Sequence, residues 1–299
     1  MRQGIDPRSG RFAGPRILIV GCGDVGRRVA GLLRGRFRIL ALVRSAASAD
    51  ALRALGVVSI VGDLDDPRSL GAIGGLAPTV IHLAPPPDRG LRDSRTRTLV
   101  HALHGVERLL YVSTSGVYGD AFGAWVDETR TTDARTDRAR RRVDAEQCLR
   151  RWSRTRDVAL TILRVPGIYA ADRLPLDRLR AGVPVLDANE DVYTNHIHAD
   201  DLARAIVVAL ARGTPQRIYH TVDDSGLRMG DWFDLVADRF DLARPERLPR
   251  ALLGARVPAT SLSFMSESRR LANARMKNEL GLRLRYPTVR DGLAVARGD

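Results

Sequence analysis

From Pro15 onward the chain alternates short, unbroken apolar runs with longer stretches in which apolar positions recur at helical spacing. The apolar runs Arg16–Val20, Phe37–Val43, Val57–Val61, Thr79–Leu83, Arg108–Val112 and Val158–Leu163 predict six strands. Helices are predicted from the glycine turn after Val20 to about Leu33, and over Ser48–Leu55, Asp66–Ile73, Leu91–Leu103 and Asp133–Arg154. Strands that do not alternate apolar with polar are buried on both faces, and helices between them impose parallel pairing. Right-handed crossovers then give a doubly wound α/β fold, a Rossmann-type domain over residues 16–165.

After Arg164 the rhythm changes. Pro166, Gly167, Pro175 and Pro184 interrupt it, and shorter elements follow. These are a helix over Asp200–Ala211, capped by Asp200 and stopped by Gly213, a strand over Arg217–Val222, and helices over Met229–Arg239 and Ser266–Leu280. Residues 166–299 are expected to form a small, mostly helical substrate-binding lobe over the carboxyl edge of the sheet, with the sheet free to take a strand from 193–222. Residues 1–15 are polar and rich in Gly, Pro and Arg, and read as a disordered leader.

Composition changes the picture in three places. In 299 residues, 44% of them hydrophobic, no apolar run approaches the ~20 residues of a membrane span. Membrane insertion is excluded on that reading, and the two cysteines, Cys22 and Cys148, suit a reducing cytoplasm. The net charge of +13 comes from one lysine, Lys277, and 47 arginines, a skew that reflects coding bias more than a partner. Ten arginines crowd residues 130–156 with Trp152 as the sole aromatic, so the stretch reads as a solvated helix face rather than a specific nucleic-acid surface. The expected partner is a small-molecule substrate, and the expected state a monomer or homodimer.

The strongest local signal is Gly21-Cys22-Gly23-Asp24-Val25-Gly26, a G-x-G-x-x-G between a predicted strand and a predicted helix. Gly21 permits the tight turn, Gly23 lets a pyrophosphate approach the backbone, and Gly26 lets the helix pack closely. The helix N-terminus then faces the phosphates with free N–H groups. Dinucleotide sites selective for NAD carry an acid at the end of the second strand; here Val43-Arg44-Ser45 stands there, and Arg44 can pair with a 2′-phosphate. NADP is therefore expected ahead of NAD, with NAD still possible.

The order of the motifs resembles the extended short-chain dehydrogenase/reductases, in the NAD-dependent epimerase/dehydratase branch. The glycine loop is followed by Gly62-Asp63-Leu64, Val80-Ile81-His82-Leu83-Ala84 and Tyr111-Val112-Ser113-Thr114-Ser115-Gly116-Val117-Tyr118-Gly119. Later come Leu163-Arg164-Val165-Pro166-Gly167-Ile168-Tyr169 and Asn195-His196-Ile197-His198-Ala199-Asp200-Asp201-Leu202. The resemblance implies that Asp63 and Leu64 flank the adenine, that Ala84 and Pro85 line the ribose side, and that Pro166, Gly167 and Ile168 lie near the nicotinamide. It also implies that Thr114 hydrogen-bonds the reacting oxygen of the substrate.

One departure matters. The family carries Tyr-x-x-x-Lys on the helix after the fifth strand, and counting back from Ala145-Glu146-Gln147 puts Arg138 at the Tyr position and Arg142 at the Lys position. Arginine does not give up its proton in a protein. Arg142 can still hold a ribose or phosphate, Arg138 favours an anionic substrate, and Tyr169 is the candidate substitute acid, ahead of Tyr118. Together with the shortened glycine loop, this points to the atypical members. Two readings stand: an NAD(P)-dependent epimerase/dehydratase-like oxidoreductase acting on a hydroxyl or carbonyl of a small substrate, nucleotide-linked or not, or an NADP(H)-binding redox sensor or interaction module with little catalysis. His101 and His104 read as surface residues and His82 as a structural one. Cys22, beside a helix N-terminus, has either a lowered pKa or a plain packing role.

Overall fold

A computed structural model describes residues 14–254 and 256–296; most of the expected leader, residues 1–13, lies outside them. The amino half runs β1 (Arg16–Val20), α1 (Asp24–Leu33), β2 (Arg38–Val43), α2 (Ala46–Arg53), β3 (Val58–Val61), β4 (Thr79–His82), α3 (Ser94–Ala102) and β5 (Arg108–Thr114). A two-residue strand, β6 (Trp125–Val126), precedes the long α4 (Asp137–Thr155) and β7 (Ala159–Val165). Then come β8 (Gly167–Tyr169), α5 (Leu176–Arg180), β9 (Val185–Leu186), β10 (His196–His198), α6 (Ala199–Arg212) and β11 (Arg217–His220). The rest is α7 (Met229–Arg239), β12 (Arg247–Leu248), α8 (Arg250–Leu253), α9 (Ala259–Phe264), β13 (Arg270–Leu271), α10 (Ala274–Leu280) and α11 (Val289–Ala294).

The main sheet has seven strands in the order β11-β7-β5-β4-β1-β2-β3, all parallel. The strand order reverses between β1 and β4, and in doubly wound sheets the crevice above that point is where ligands bind. Alternate residues of β1 serve opposite layers, as a pleated strand requires. Ile17 and Ile19 join Val29 and Leu33 of α1 and Leu202 and Ile206 of α6, while Leu18 and Val20 join Leu99 of α3 and Leu149 of α4. Both α6 and β11, from beyond residue 166, are thus built into the Rossmann layers.

The remaining C-terminal elements form no sheet of their own. They pair as three short parallel couples, β8 with β10, β9 with β12 and β6 with β13. A separate core of Tyr169, Val185, Trp232, Phe233, Val236 and Val289 packs β8 and β9 against α7 and α11, while Val126 of β6 and Leu271 of β13 join Val117, Tyr118 and Val222 in another.

Several boundaries differ from the periodicity. Asp66–Ile73 makes only a 3-10 turn over Pro67–Leu70, because Gly71, Gly74 and Gly75 follow at once and do not sustain a helix. Ser266–Leu280 is helical only from Ala274, since backbone groups of Ser268 and Arg270 are claimed by Asp120, Ala121, Gly123 and Ala124. The α6 cap is His198, whose Nδ1 accepts from the Asp200 N–H at 3.2 Å, and the Asp200 carboxylate goes instead to Arg28 at 2.5 Å. β5 and β7 also run further than predicted, to Thr114 and Val165.

Candidate functional site

The carboxyl ends of β1, β2, β3 and β4 open onto a groove of about 770 Å³. Twelve of the residues singled out by sequence line it: Gly21, Cys22, Gly23, Asp24, Val25 and Gly26 from the glycine loop, Arg44 after β2, Asp63 and Leu64 after β3, Ala84 and Pro85 after β4, and Ile168 of β8. Gly21 has φ +86°, and a Cβ there would come within 2.6 Å of the Ala84 nitrogen. Glycine is required at that point, because side chains rarely adopt such a φ and the β4 backbone leaves no room. A Cβ on Gly26 would meet Cys22 Sγ at 3.1 Å, so the third glycine lets α1 close on the turn. Gly23 is different: nothing lies within 4 Å of its Cβ position. The second glycine thus leaves its backbone open to the groove beside the free N–H groups of α1, and this cradle fits a pyrophosphate.

Burial pushes the Cys22 thiol up to about 11, against a smaller downward pull from Arg27, so the reading of a lowered pKa gives way to a packed, protonated side chain. Asp24 is held by two arginines, Arg28 at 3.0 Å and Arg173 at 3.1 Å. Arg28 reaches Asp172 and Asp200 as well, which ties the first turns of α1 to two segments beyond the Rossmann half. Arg173 also lines the groove, and no sequence signal marked it.

Just beyond the carboxyl end of β2 Arg44 is exposed, and it hydrogen-bonds to no protein group among the described residues. Ser45 and Ser48 line the groove beside it; Ser45 caps α2 by accepting from the Ser48 N–H. Arg95, also unmarked by sequence, lies across the groove and grips Asp65 at 2.6 Å. That pairing, with a weaker pull from Arg44, holds the Asp65 carboxyl below its ordinary range. Asp63 turns its carboxylate to the Asp65 N–H at 3.0 Å and its backbone to Ser69.

Six predicted site residues stand outside the groove lining: Thr114, Arg138, Arg142, Pro166, Gly167 and Tyr169. Pro166 and Gly167 join β7 to β8 just before Ile168. Thr114 ends β5, and its Oγ1 accepts from the Gly116 N–H at 3.3 Å. Arg142 reaches under the same strand end and donates to Tyr111 Oη at 2.9 Å and to the Val112 carbonyl at 3.1 Å. Arg138 is exposed one helical turn earlier, with its guanidinium 4.1 Å from the Phe264 ring centroid. Four residues past Arg142, Glu146 accepts from Ser113 at 2.6 Å and pairs with Arg164 at 2.7 Å, all three buried.

The two tyrosines considered as acids are both committed elsewhere. His220 Nδ1 donates to the Ala272 carbonyl, so Nε2 must accept from Tyr118 at 2.5 Å, and burial raises that phenol to about 12. Tyr169 is 2% exposed, packed on His196, His198 and Trp232, and donates to the Thr288 carbonyl at 3.3 Å. Burial, with nearby Asp223, raises its pKa well above the ordinary value. The expectation that Tyr169 replaces the absent acid therefore fails on position, because β8 turns the ring into the C-terminal core. His82 donates to Thr96, whose own proton goes to Asp93, and burial keeps the ring neutral, which makes it structural.

Residues 21–212 match the NAD(P)H-binding family profile. The chain is 28% identical to the 3-diazoavenalumate denitrifying reductase of a Streptomyces species over 93% of its own length and 99% of that protein's. Among solved structures it is similar to a conserved protein of unknown function from Silicibacter pomeroyi, at 27% identity and TM-score 0.77, over 95% of this chain and 99% of the other. A UDP-glucose 4-epimerase from Thermotoga maritima shares the fold with TM-score 0.75 at 18% identity, over 94% and 97% of the two chains. Among the described residues no helix is long and apolar enough to cross a membrane.

Proposed function

The chain belongs to the NAD(P)H-binding family and fits its atypical short-chain dehydrogenase/reductases, and from that premise we propose that it is an NADPH-dependent reductase that reduces its substrate without a tyrosine acid of its own. The bound cofactor supplies a hydride. Gly21 to Gly26 and the start of α1 hold its pyrophosphate, Arg44 with Ser45 and Ser48 takes the 2′-phosphate, and Asp63 and Leu64 border the adenine. Ile168, with Pro166 and Gly167 beside it, closes the nicotinamide end, and Thr114 orients the group to be reduced.

The observation that carries this reading is the pair Arg138 and Arg142 where the family keeps Tyr and Lys, with Tyr118 and Tyr169 both locked away. Guanidinium groups supply fixed positive charge but no proton. They suit an electrophile that accepts hydride and takes any proton from water. A reductase among the full-length relatives supports the direction of the chemistry.

The test is deuteride transfer from NADPH labelled at the transferred position, read by mass spectrometry across a panel of activated carbonyl and nitrogen electrophiles. Label should appear in product, Thr114→Ala should lower kcat, and Tyr169→Phe should leave it unchanged. Tight NADPH binding with no transfer to any member of the panel would favour the redox-sensor reading instead.

A further inference from the structure

Four arginines crowd the start of α4. Arg138, Arg141 and Arg142 share one face of the first turns of α4, and Arg269 arrives from the segment before β13. The place is next to Thr114: a Cβ on Gly116 would lie 3.7 Å from Thr114 Oγ1 and 3.9 Å from Cβ of Ala139. Among the described residues Glu267 is the acid named as acting on Arg138; its Oε2 is paired with Arg269 at 2.8 Å, and its Oε1 is buried without a hydrogen-bond partner.

Among the described residues the other three arginines have neutral hydrogen-bond partners or none. Arg142 is bound to a phenol and a carbonyl, and Arg141 to the Gly90 carbonyl at 2.6 Å. Arg138 forms no ion pair among the described residues; partial desolvation, and then the like charges of Arg141, Arg269 and Arg142, lower its pKa against an opposing pull from Glu267. Arg141 is 7% exposed, and its Nε is buried without a hydrogen-bond partner; so is Nε of Arg269. Crowded like charges with unmet donors are costly in a folded chain unless an anion completes the site. Beside them stands Phe264, 54% exposed although large and apolar, with the Arg138 guanidinium against its ring.

We propose that the substrate is a small planar carboxylic acid, its carboxylate held by Arg138 and its conjugated or aromatic body laid against Phe264. This rests on the reductase reading above. A nucleotide-linked sugar is a poorer match, because its diphosphate is separated from the reacting carbon by the width of a sugar ring, whereas Arg138 stands at the residue that would otherwise touch the reacting oxygen. Arginine's planar fork pairs with a carboxylate through two parallel hydrogen bonds, and a flat apolar body buries the exposed phenyl face.

Calorimetric titration of the NADPH-loaded protein tests this with benzoate, trans-cinnamate and the corresponding amides. At least one acid should bind about tenfold or more tighter than its amide, the usual size of a charge-assisted contact. Arg138→Met should abolish that discrimination, Arg138→Lys should restore part of it, and Phe264→Ala should weaken acid and amide alike. Arg138 is exposed, so thermal melting of the Met variant should match the parent and separate lost recognition from lost folding. Equal binding of acids and amides, an unchanged preference in Arg138→Met, or tighter Arg138-dependent binding of UDP-glucose would overturn the proposal. NADPH binding and deuteride transfer are measured without these ligands, so failure of the reductase reading is seen separately.

Discussion

At the scale of single residues, the glycine loop separates folding from binding. Gly21 and Gly23 belong to one motif, yet only Gly21 has positive φ and a backbone neighbour at 2.6 Å. Gly21→Ala should destabilise the fold by about 1–3 kcal/mol from the φ alone, with the clash against Ala84 added. Gly23→Ala should melt like the parent, because its methyl meets nothing within 4 Å, and should lose cofactor affinity if the phosphate takes that open space as proposed. Denaturant unfolding and fluorescence titration with NADPH, run on both variants, read the two effects apart. Arg44 makes the companion prediction. With no hydrogen bond to the protein among the described residues it can take a ligand, so Arg44→Asp should weaken NADPH binding by at least about tenfold and leave NADH binding much less affected. Equal affinities for NADPH and NADH in the unmutated protein would remove the basis for NADP preference.

At the scale of elements, α4 is the piece that does most. One face carries Arg138, Arg141 and Arg142 toward the end of β5, while further along Glu146 anchors the helix to the sheet through Ser113 and Arg164. Both members of that ion pair are about 95% buried, so removing one leaves an unpaired charge out of water. Glu146→Ala should cost about 3–5 kcal/mol, whereas the apolar double replacement Glu146→Met with Arg164→Leu should cost much less. Urea unfolding distinguishes them, and equal losses would mean that packing rather than charge sets the penalty. Two further arginines of the same helix are spent on neighbours, Arg140 on Asp137 and Arg150 on the Gln216 carbonyl. The high charge of this stretch therefore has local structural uses.

At the scale of the whole molecule, buried titratable groups set the response to pH. Burial pushes His82, His196 and His220 down to about 3, while an unfolded histidine takes a proton near 6.5. Their depressed values stabilise the fold above about pH 6.5, and that contribution is lost as pH falls toward 3. Burial has the reverse effect on Asp223, whose carboxyl is pushed up to about 7. Its contribution is complete below the unfolded value near 4 and is lost as pH rises through 7. Three histidines outweigh one aspartate, so the melting temperature should fall on acidification from about pH 7 to pH 5. Asp223→Asn removes the opposing group; the variant should gain stability near pH 7 and above, and decline more steeply below. A melting curve that does not move with pH in either protein would show that these groups are more hydrated than their burial implies.

What the sequence determined by itself was local or periodic. Unbroken apolar runs such as Ile17–Val20 and Val80–Ile81 need cover on both faces, so they specify a parallel sheet wherever their neighbours lie. Gly21, Gly23 and Gly26 carry their own conformational requirement, which made the cofactor groove legible before any fold was known. Arg44 and Arg142 were found because the spacing from a strand or from Glu146 is a property of the chain. The tertiary structure alone decided which side chains were available. Tyr169 follows Ile168 directly, yet strand alternation leaves one in the groove and sends the other into the C-terminal core. Arg95 and Arg173 reach the groove from separate elements and obey no spacing rule, so nothing in the order of residues could mark them. Helix ends behaved the same way: the cap of α6 is His198 because Asp200 finds Arg28 across 172 positions of sequence. Contacts between residues far apart in the chain are settled by packing, and packing is what periodicity leaves open.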